Sequence, residues 1–254
     1  MSSESLQVQI RDQVLRLTIN RPEKRNALNL ALLDEIGSTL SSHSANPDIK
    51  LALLTAAGDK AFAAGGDLHQ LDAVRSEAET LAMSRRGRYA LDQIRYFPLP
   101  VIGAINGLAL GGGAELALAC DLRIAAPHAE IGLIQSRLNV TTAWGGSIDL
   151  IDLVGNSRAL QILITGQRLS ASEALQMGII NAVADDHFET ATENFLAPYL
   201  AHKQQVIRGY KTTSLAHRKC LHEKLNAAEE SEFVKAWTHK DHWTASAKAL
   251  APKQ

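Results

Sequence analysis

Two cysteines in 254 residues, Cys120 and Cys220, are too few for a disulfide framework and lack the spacing of a metal site. A reducing, cytoplasmic setting is therefore expected, with no bound metal. Long apolar runs are missing as well: no stretch approaches the ~20 residues of a membrane span, and Met1 to Val8 lacks the basic-then-apolar order of a leader. Charge of one sign is absent, since 26 Lys and Arg face 27 Asp and Glu for a net −1. No overall field draws nucleic acid or an anionic membrane, so an anionic ligand must be held locally. The glycines form neither a G-x-G-x-x-G fingerprint nor a G-K-[ST] phosphate loop, and Gly145-Gly146-Ser147 is not a nucleophile elbow. His239 and His242 stand three apart with no further ligands at suitable spacing, which reads as a solvated helix face.

What is present is ordinary globular material, 46% apolar and 21% charged, in one main domain. Residues 6–10 and 14–19 alternate apolar and polar and read as an opening β-hairpin. Helical spacing follows over 28–40, then a short apolar strand over 51–55 that suits burial on both faces. A long helix is predicted over 68–96, stopped by Pro98 and Pro100 before the buried strand 101–105. Ile124 and Ala125 continue in a strand. Cys120 and Cys220 each read as lying inside a helix. Ser170 and Glu173 have capping-box spacing for a helix from Ala171 that ends near Gly178. Strands alternate with helices to about residue 185, giving an α/β layered core, and the chain from His187 reads as helices only.

Chemistry is suggested at two glycine turns. Ala61 to Leu68 reads A-F-A-A-G-G-D-L, a turn between strand and helix with Asp67 placed to cap the helix. Asn106 to Leu116 reads N-G-L-A-L-G-G-G-A-E-L, with three glycines opening a helix directly after a strand. Each alone is a tight connection. Together they offer two sets of unpaired amides, suited to one oxyanion.

These turns, preceded by Asn20-Arg21-Pro22 and Asn26-Ala27-Leu28 and followed by Trp144-Gly145-Gly146, resemble in order and spacing the crotonase superfamily, the enoyl-CoA hydratase/isomerase enzymes. The likeness covers about residues 6–185. It implies a ClpP/crotonase-like spiral of β-β-α turns over 1–185 and a helical C-terminal subdomain over 186–254 that helps bury CoA. It also implies homotrimers or dimers of trimers and an acyl-CoA substrate, with no cofactor apart from that CoA. By the same resemblance, the amides of Gly66 and Gly112 receive the thioester oxygen and the Ala64 carbonyl meets the adenine of CoA. Such a donor is worth about 3 to 4 kcal/mol once charge develops on the oxygen.

Glu115 matches the first of two glutamates used by hydratases of the family, but Gln135 stands where the second belongs. An amide neither gives nor takes a proton, so efficient hydration, and isomerisation through that position, lose a group. Decarboxylation of a malonyl-type thioester needs no base, because loss of CO2 generates the enolate directly. The Trp144-Gly145-Gly146 turn is similar to that of the ethylmalonyl-CoA and methylmalonyl-CoA decarboxylase branches, with Trp144 a candidate pocket wall. Decarboxylase is therefore the leading expectation, with hydratase or isomerase through Glu115 alone as the alternative. A non-catalytic CoA- or RNA-binding homologue is the reading of another class. For it, Arg85, Arg86, Arg88 and Arg95 offer a basic stretch, otherwise an exposed helix face.

Overall fold

Asp12 at φ 52° and Gln13 at φ 65° close the first hairpin through the left-handed backbone that a two-residue type I′ turn requires. They join β1 (Leu6–Arg11) to β2 (Val14–Ile19), antiparallel, with Arg11 opposite Val14. The structure is a computed structural model describing residues 5–185 and 187–251. The first four residues, where the N-terminal reading began, Asp186, where the helical part was expected to start, and the last three lie outside the described residues.

Helix α1 spans Leu30–His43 and starts two residues later than its apolar spacing suggests. The cause is local: Asn29 Oδ1 accepts the Leu32 amide at 2.8 Å, and Leu28 bridges Gly66 instead of joining the helix. Strands β3 (Leu51–Ala56) and β4 (Ala61–Ala63) follow. The single helix expected over 68–96 is two, α2 (Leu68–Leu71) and α3 (Glu77–Arg95). Ser76 and Glu79 form a reciprocal capping box that starts α3 afresh, a signal masked by the helix-forming residues around it.

Then come β5 (Val101–Ile105), β6 (Leu108–Leu110), α4 (Gly112–Ala119), β7 (Leu122–Ala125), β8 (Glu130–Gly132) and a 3-10 turn, Gln135–Leu138. Cys120 is buried in extended backbone just past α4 rather than within a helix, whereas Cys220 does lie in a helix. Helices α5 (Gly146–Val154) and α6 (Asn156–Thr165), β9 (Leu169–Ser170), α7 (Ala171–Gln176) and β10 (Ala182–Val183) complete the layered part. The Ser170–Glu173 box caps α7 as read, and Gly178 takes φ 77° beyond its end.

The larger sheet runs β1-β2-β3-β5-β7-β10 and the smaller β4-β6-β8-β9. Among the described residues, only the β1–β2 and β8–β9 pairings are antiparallel. Successive turns lay one strand in the larger sheet and the next in the smaller before helices cross back, as in β3-β4-α3 and β5-β6-α4. This is the spiral of β-β-α turns. Strands β3 and β5 are nearly all apolar because layers cover both their faces.

Beyond β10 the described chain is helical: α8 (Phe188–Leu200), α9 (Gln204–Trp237) and α10 (Lys240–Leu250). Helix α9 docks through buried charge. Asp149 of α5 takes Arg95 Nη2 of α3 at 2.8 Å, Arg218 Nη2 of α9 at 2.8 Å and His222 Nε2 of α9 at 2.9 Å. Burial works to raise the Asp149 carboxyl, yet the Arg218 and Arg95 guanidiniums and the His222 hydrogen bond hold it far below its ordinary range. Asp149→Ala removes one acidic centre from several buried donors and is expected to cost about 3–5 kcal/mol in urea unfolding. A loss within the ~1 kcal/mol typical of a surface pair would contradict that role. Among the described residues, no helix is long and apolar enough to cross a membrane.

Candidate active site

The first glycine turn is pinned by the Asn-Arg-Pro and Asn-Ala-Leu segments. Asn26, left-handed at φ 55° and buried, donates to the carbonyls of Ala57 at 3.0 Å and Ala61 at 2.7 Å and accepts the Arg21 amide at 2.9 Å. Arg21 reaches the Ala27 carbonyl and, at 3.2 Å, the Asp67 carboxylate. Asp67 starts α2 without a side-chain cap bond, so its expected capping role is replaced by this ion pair. Leu28 donates to the Gly65 carbonyl and accepts from the Asp67 amide, both at 2.8 Å. The Gly66 amide between them has no partner among the described residues.

The second turn places Gly112 at the first position of α4, where an amide has no intrahelical acceptor. Gly113 lets the helix lie directly on β4, since a Cβ there would stand 1.9 Å from the Ala63 carbonyl oxygen. The Gly112 amide is likewise unpartnered among the described residues. Both turns open on one cavity of ≈ 160 Å³, also lined by Ala64, Glu115, Gln135 and Trp144. All six residues singled out from the sequence therefore meet at one place.

Glu115 is 2% exposed and projects from the first turn of α4. Its Oε2 accepts the amides of Trp144 at 2.8 Å and Gly146 at 3.0 Å; its Oε1 takes the Gln135 side-chain amide at 2.9 Å and, more weakly, the Ala143 amide at 3.4 Å. Burial, then the negative charge of Glu229, push this carboxyl up to about 7 against the pull of those amides. Such a group exists in both forms near neutrality and can take a proton and return it.

Gln135 is thus neither a solvent-facing bystander nor, so far as its Nε2 is concerned, free for substrate. Its Oε1 is buried without a partner at the cavity wall. Trp144 lies against the backbone of both turns: a Cβ on Gly112 would meet its Cζ3 at 2.4 Å, and one on Gly66 its Cη2 at 3.9 Å. The two glycines after it have separate causes. Gly145 adopts φ 92°, and a Cβ on Gly146 would stand 2.4 Å from Glu115 Cγ.

The rest of the wall is mostly apolar, and the segment expected as one helix over 68–96 supplies part of it. Leu68, Leu71 and Met83 come from that segment, but Leu138, Val140, Phe233 and Trp237 do not. Glu115 is the charged residue among the described lining residues, and no Lys, Arg or His joins it.

The basic stretch of α3 is not a free charged face. Arg85 pairs with Glu230 at 2.8 Å and Arg86 with Asp34 at the surface, while Arg88 is buried against Glu229 and Arg95 against Asp149. Of the two histidines, His239 is exposed as read, whereas His242 is buried, its Nδ1 2.8 Å from the Leu138 carbonyl, between Trp237 and Trp243. Among the described residues no cluster of His, Cys, Asp or Glu could hold a metal.

The model of one protein family, enoyl-CoA hydratase/isomerase, matches residues 9–253. The chain belongs to that family, within the crotonase superfamily. It is 37% identical over 183 residues to a crotonyl-CoA hydratase of Syntrophomonas wolfei, covering 72% of this chain and 70% of that protein. It is 36% identical over 173 residues to a short-chain-enoyl-CoA hydratase of Clostridium acetobutylicum, covering 68% of this chain and 66% of the relative. The crystal structure of an enoyl-CoA hydratase from Bacillus anthracis superposes with TM-score 0.79 at 30% identity, covering 98% of each chain.

Proposed function

We propose that this protein hydrates a short α,β-unsaturated acyl-CoA, with Glu115 as its sole acid–base carboxylate. The carrying observation is the position of Glu115: buried, raised to about 7, and on the same cavity as two unpartnered glycine amides. The thioester oxygen sits between the Gly66 and Gly112 amides, with the Ala64 carbonyl on the CoA side. Water attacks Cβ and yields its proton to the Glu115 carboxylate, while the double-bond electrons move onto the thioester oxygen. The resulting enolate is held by the amides. Glu115 then delivers the proton to Cα on the same face, which gives the 3-hydroxyacyl-CoA and restores the carboxylate. Gln135 Oε1, buried and unpartnered, is the acceptor that aims the water.

The cavity volume supports a short chain, because a protein cavity of about 150 Å³ holds a benzene-sized group. The names of the relatives, crotonyl-CoA hydratase and short-chain-enoyl-CoA hydratase, support hydration. Decarboxylation of a malonyl-type thioester, favoured by Gln135 and by the likeness of the Trp144-Gly145-Gly146 turn, is the second reading, because no cation lines the described cavity to hold the substrate carboxylate. The trimer or dimer of trimers implied by the family belongs to the proposal and is read by analytical ultracentrifugation.

Mass spectrometry on crotonyl-CoA, ethylmalonyl-CoA and methylmalonyl-CoA separates the readings. Gain of one water on crotonyl-CoA is expected; loss of CO2 from a malonyl-type thioester without hydration would establish the decarboxylase. Gln135→Glu supplies a second carboxylate beside Glu115 and is expected to raise hydration by about 10²-fold. Because two carboxylates at that distance share a proton, its rate optimum should also move to higher pH. An unchanged hydration rate would show that the position takes no part.

A further inference from the structure

Residues 142–147 run between two buried carboxylates that bind alternate amides of the same loop. On the inner side Glu115 takes the amides of Trp144 and Gly146. On the outer side Glu229 of α9 takes the amide of Gly145 at 2.8 Å and that of Ser147 at 3.2 Å. Glu229 also accepts the Thr142 hydroxyl at 2.6 Å and the Ser147 hydroxyl at 2.5 Å. Its second oxygen is held by Arg88 of α3, which also donates to the Ala143 carbonyl at 3.2 Å. These bonds leave the loop little freedom to move without carrying Glu115 with it.

We propose that Glu229 is a positioning residue for Glu115, clamping from α9 the outer side of the loop whose inner amides fix that carboxylate. The inference rests on the reading of Glu115 as the proton-transfer group. Glu229 does not line the cavity that holds the glycine amides, so it acts through the loop and through its charge. Other charged or titratable groups near the loop are Arg88 and Arg95 of α3, Asp149 of α5 and His222 of α9, with Arg218 of α9 behind them on Asp149. Arg95, Arg218 and His222 are paired with Asp149 and Arg88 with Glu229 itself, Arg95 also donates to the Trp144 carbonyl at 2.6 Å, and His222 Nδ1 and Arg88 Nε are buried without a partner among the described residues. Burial works to raise the Glu229 carboxyl, but Arg88 and the Ser147 and Thr142 hydroxyls keep it below its ordinary value. It therefore stays ionised while Glu115 titrates, and its charge is one of the two causes that lift Glu115. Docking of the C-terminal helix is in this way tied to both the place and the proton affinity of the carboxylate.

The test is a ¹³C-carboxyl NMR titration of glutamate-labelled protein, with Glu115→Gln to assign the resonance, alongside kcat against pH. Glu229→Gln removes a negative charge and leaves the Arg88 cation, so the Glu115 midpoint should fall by about one pH unit, with the acid limb of kcat moving alike. Glu229→Asp keeps the charge on a shorter stem; the midpoint should stay near that of the parent while kcat drops. An unmoved midpoint in folded Glu229→Gln overturns the proposal, because a mere strut would leave it where it was. If no thioester is turned over, the NMR arm still reads Glu229, and the failure belongs to the functional reading. Should Glu229→Gln fail to fold, Thr142→Val combined with Ser147→Ala decides: a loss of about tenfold in kcat at constant KM is expected, and unchanged kcat overturns the clamp.

Discussion

Glu115→Gln is expected to lower kcat for hydration of crotonyl-CoA by roughly 10²–10⁴-fold with little change in KM. KM is spared because thioester binding rests on the Gly66 and Gly112 amides, which the substitution does not touch. The fold is spared for a reason visible in the hydrogen bonds. A glutamine oxygen can replace Oε2 and accept the Trp144 and Gly146 amides, leaving its NH2 toward Gln135. Gln135 has a buried, unpartnered Oε1 and needs only to turn its amide over to accept from that NH2. In the parent protein the base form must be present to take the proton of the attacking water, so kcat/KM should rise with pH through about 7 as the raised Glu115 carboxyl ionises. The variant should show no such limb. Steady-state rates across pH, with thermal melts to confirm folding, give the answer. A malonyl-type decarboxylation that persists in Glu115→Gln while hydration is absent in the parent would transfer the assignment to the reaction that needs no base.

How much of this was legible beforehand depends on the range of the interaction concerned. The two glycine turns could be read because their cause is local: a strand must stop, a helix must start, and no side chain fits between. Gly65 at φ 123° and Gly111 at φ 54° are of this kind. The Ser170 box was readable for the same reason, and the Ser76 box could have been, had Glu79 three residues on been weighed above the helical look of 68–96. Asp67 shows where the local signal misleads. It has the right type and place for a cap, yet Arg21, forty-six residues earlier, takes its carboxylate. Gln135 and Glu115 were each found by position in a motif, but that one donates to the other follows only once the 3-10 turn that carries Gln135 comes against the first turn of α4.

Nothing in the sequence announced Glu229 or Arg95. A Glu-Glu pair in a polar helix and an arginine among arginines look solvated, and they become buried partners only because α3, α5 and α9 converge on the 142–147 loop. Phe233 and Trp237 reach the cavity by the same convergence. Residues that build an active site from distant helices carry no spacing of their own, which is why the catalytic face could be read and its supporting shell could not.

Gly112→Pro should remove one oxyanion donor and cost about 10²–10³-fold in kcat. Proline is tolerated at the first position of a helix, where the missing N–H has no helical acceptor, so α4 itself should survive. Gly111 before it sits at φ 54°, ψ −121°, outside the helical region that a following proline disfavours. The complication is Trp144, whose Cζ3 would stand 2.4 Å from any new Cβ, so a loss of rate could come from a displaced indole instead. Comparing Gly112→Ala with Gly112→Pro, each in a Trp144→Ala background, removes that ambiguity. Both members of the pair carry a Cβ and both lack the indole, while only alanine keeps the amide N–H. A difference of about 10²–10³-fold between them is the worth of the donor. Equal rates would mean that the thioester oxygen is not bound at Gly112, and the enolate reading would lose the group on which it chiefly depends.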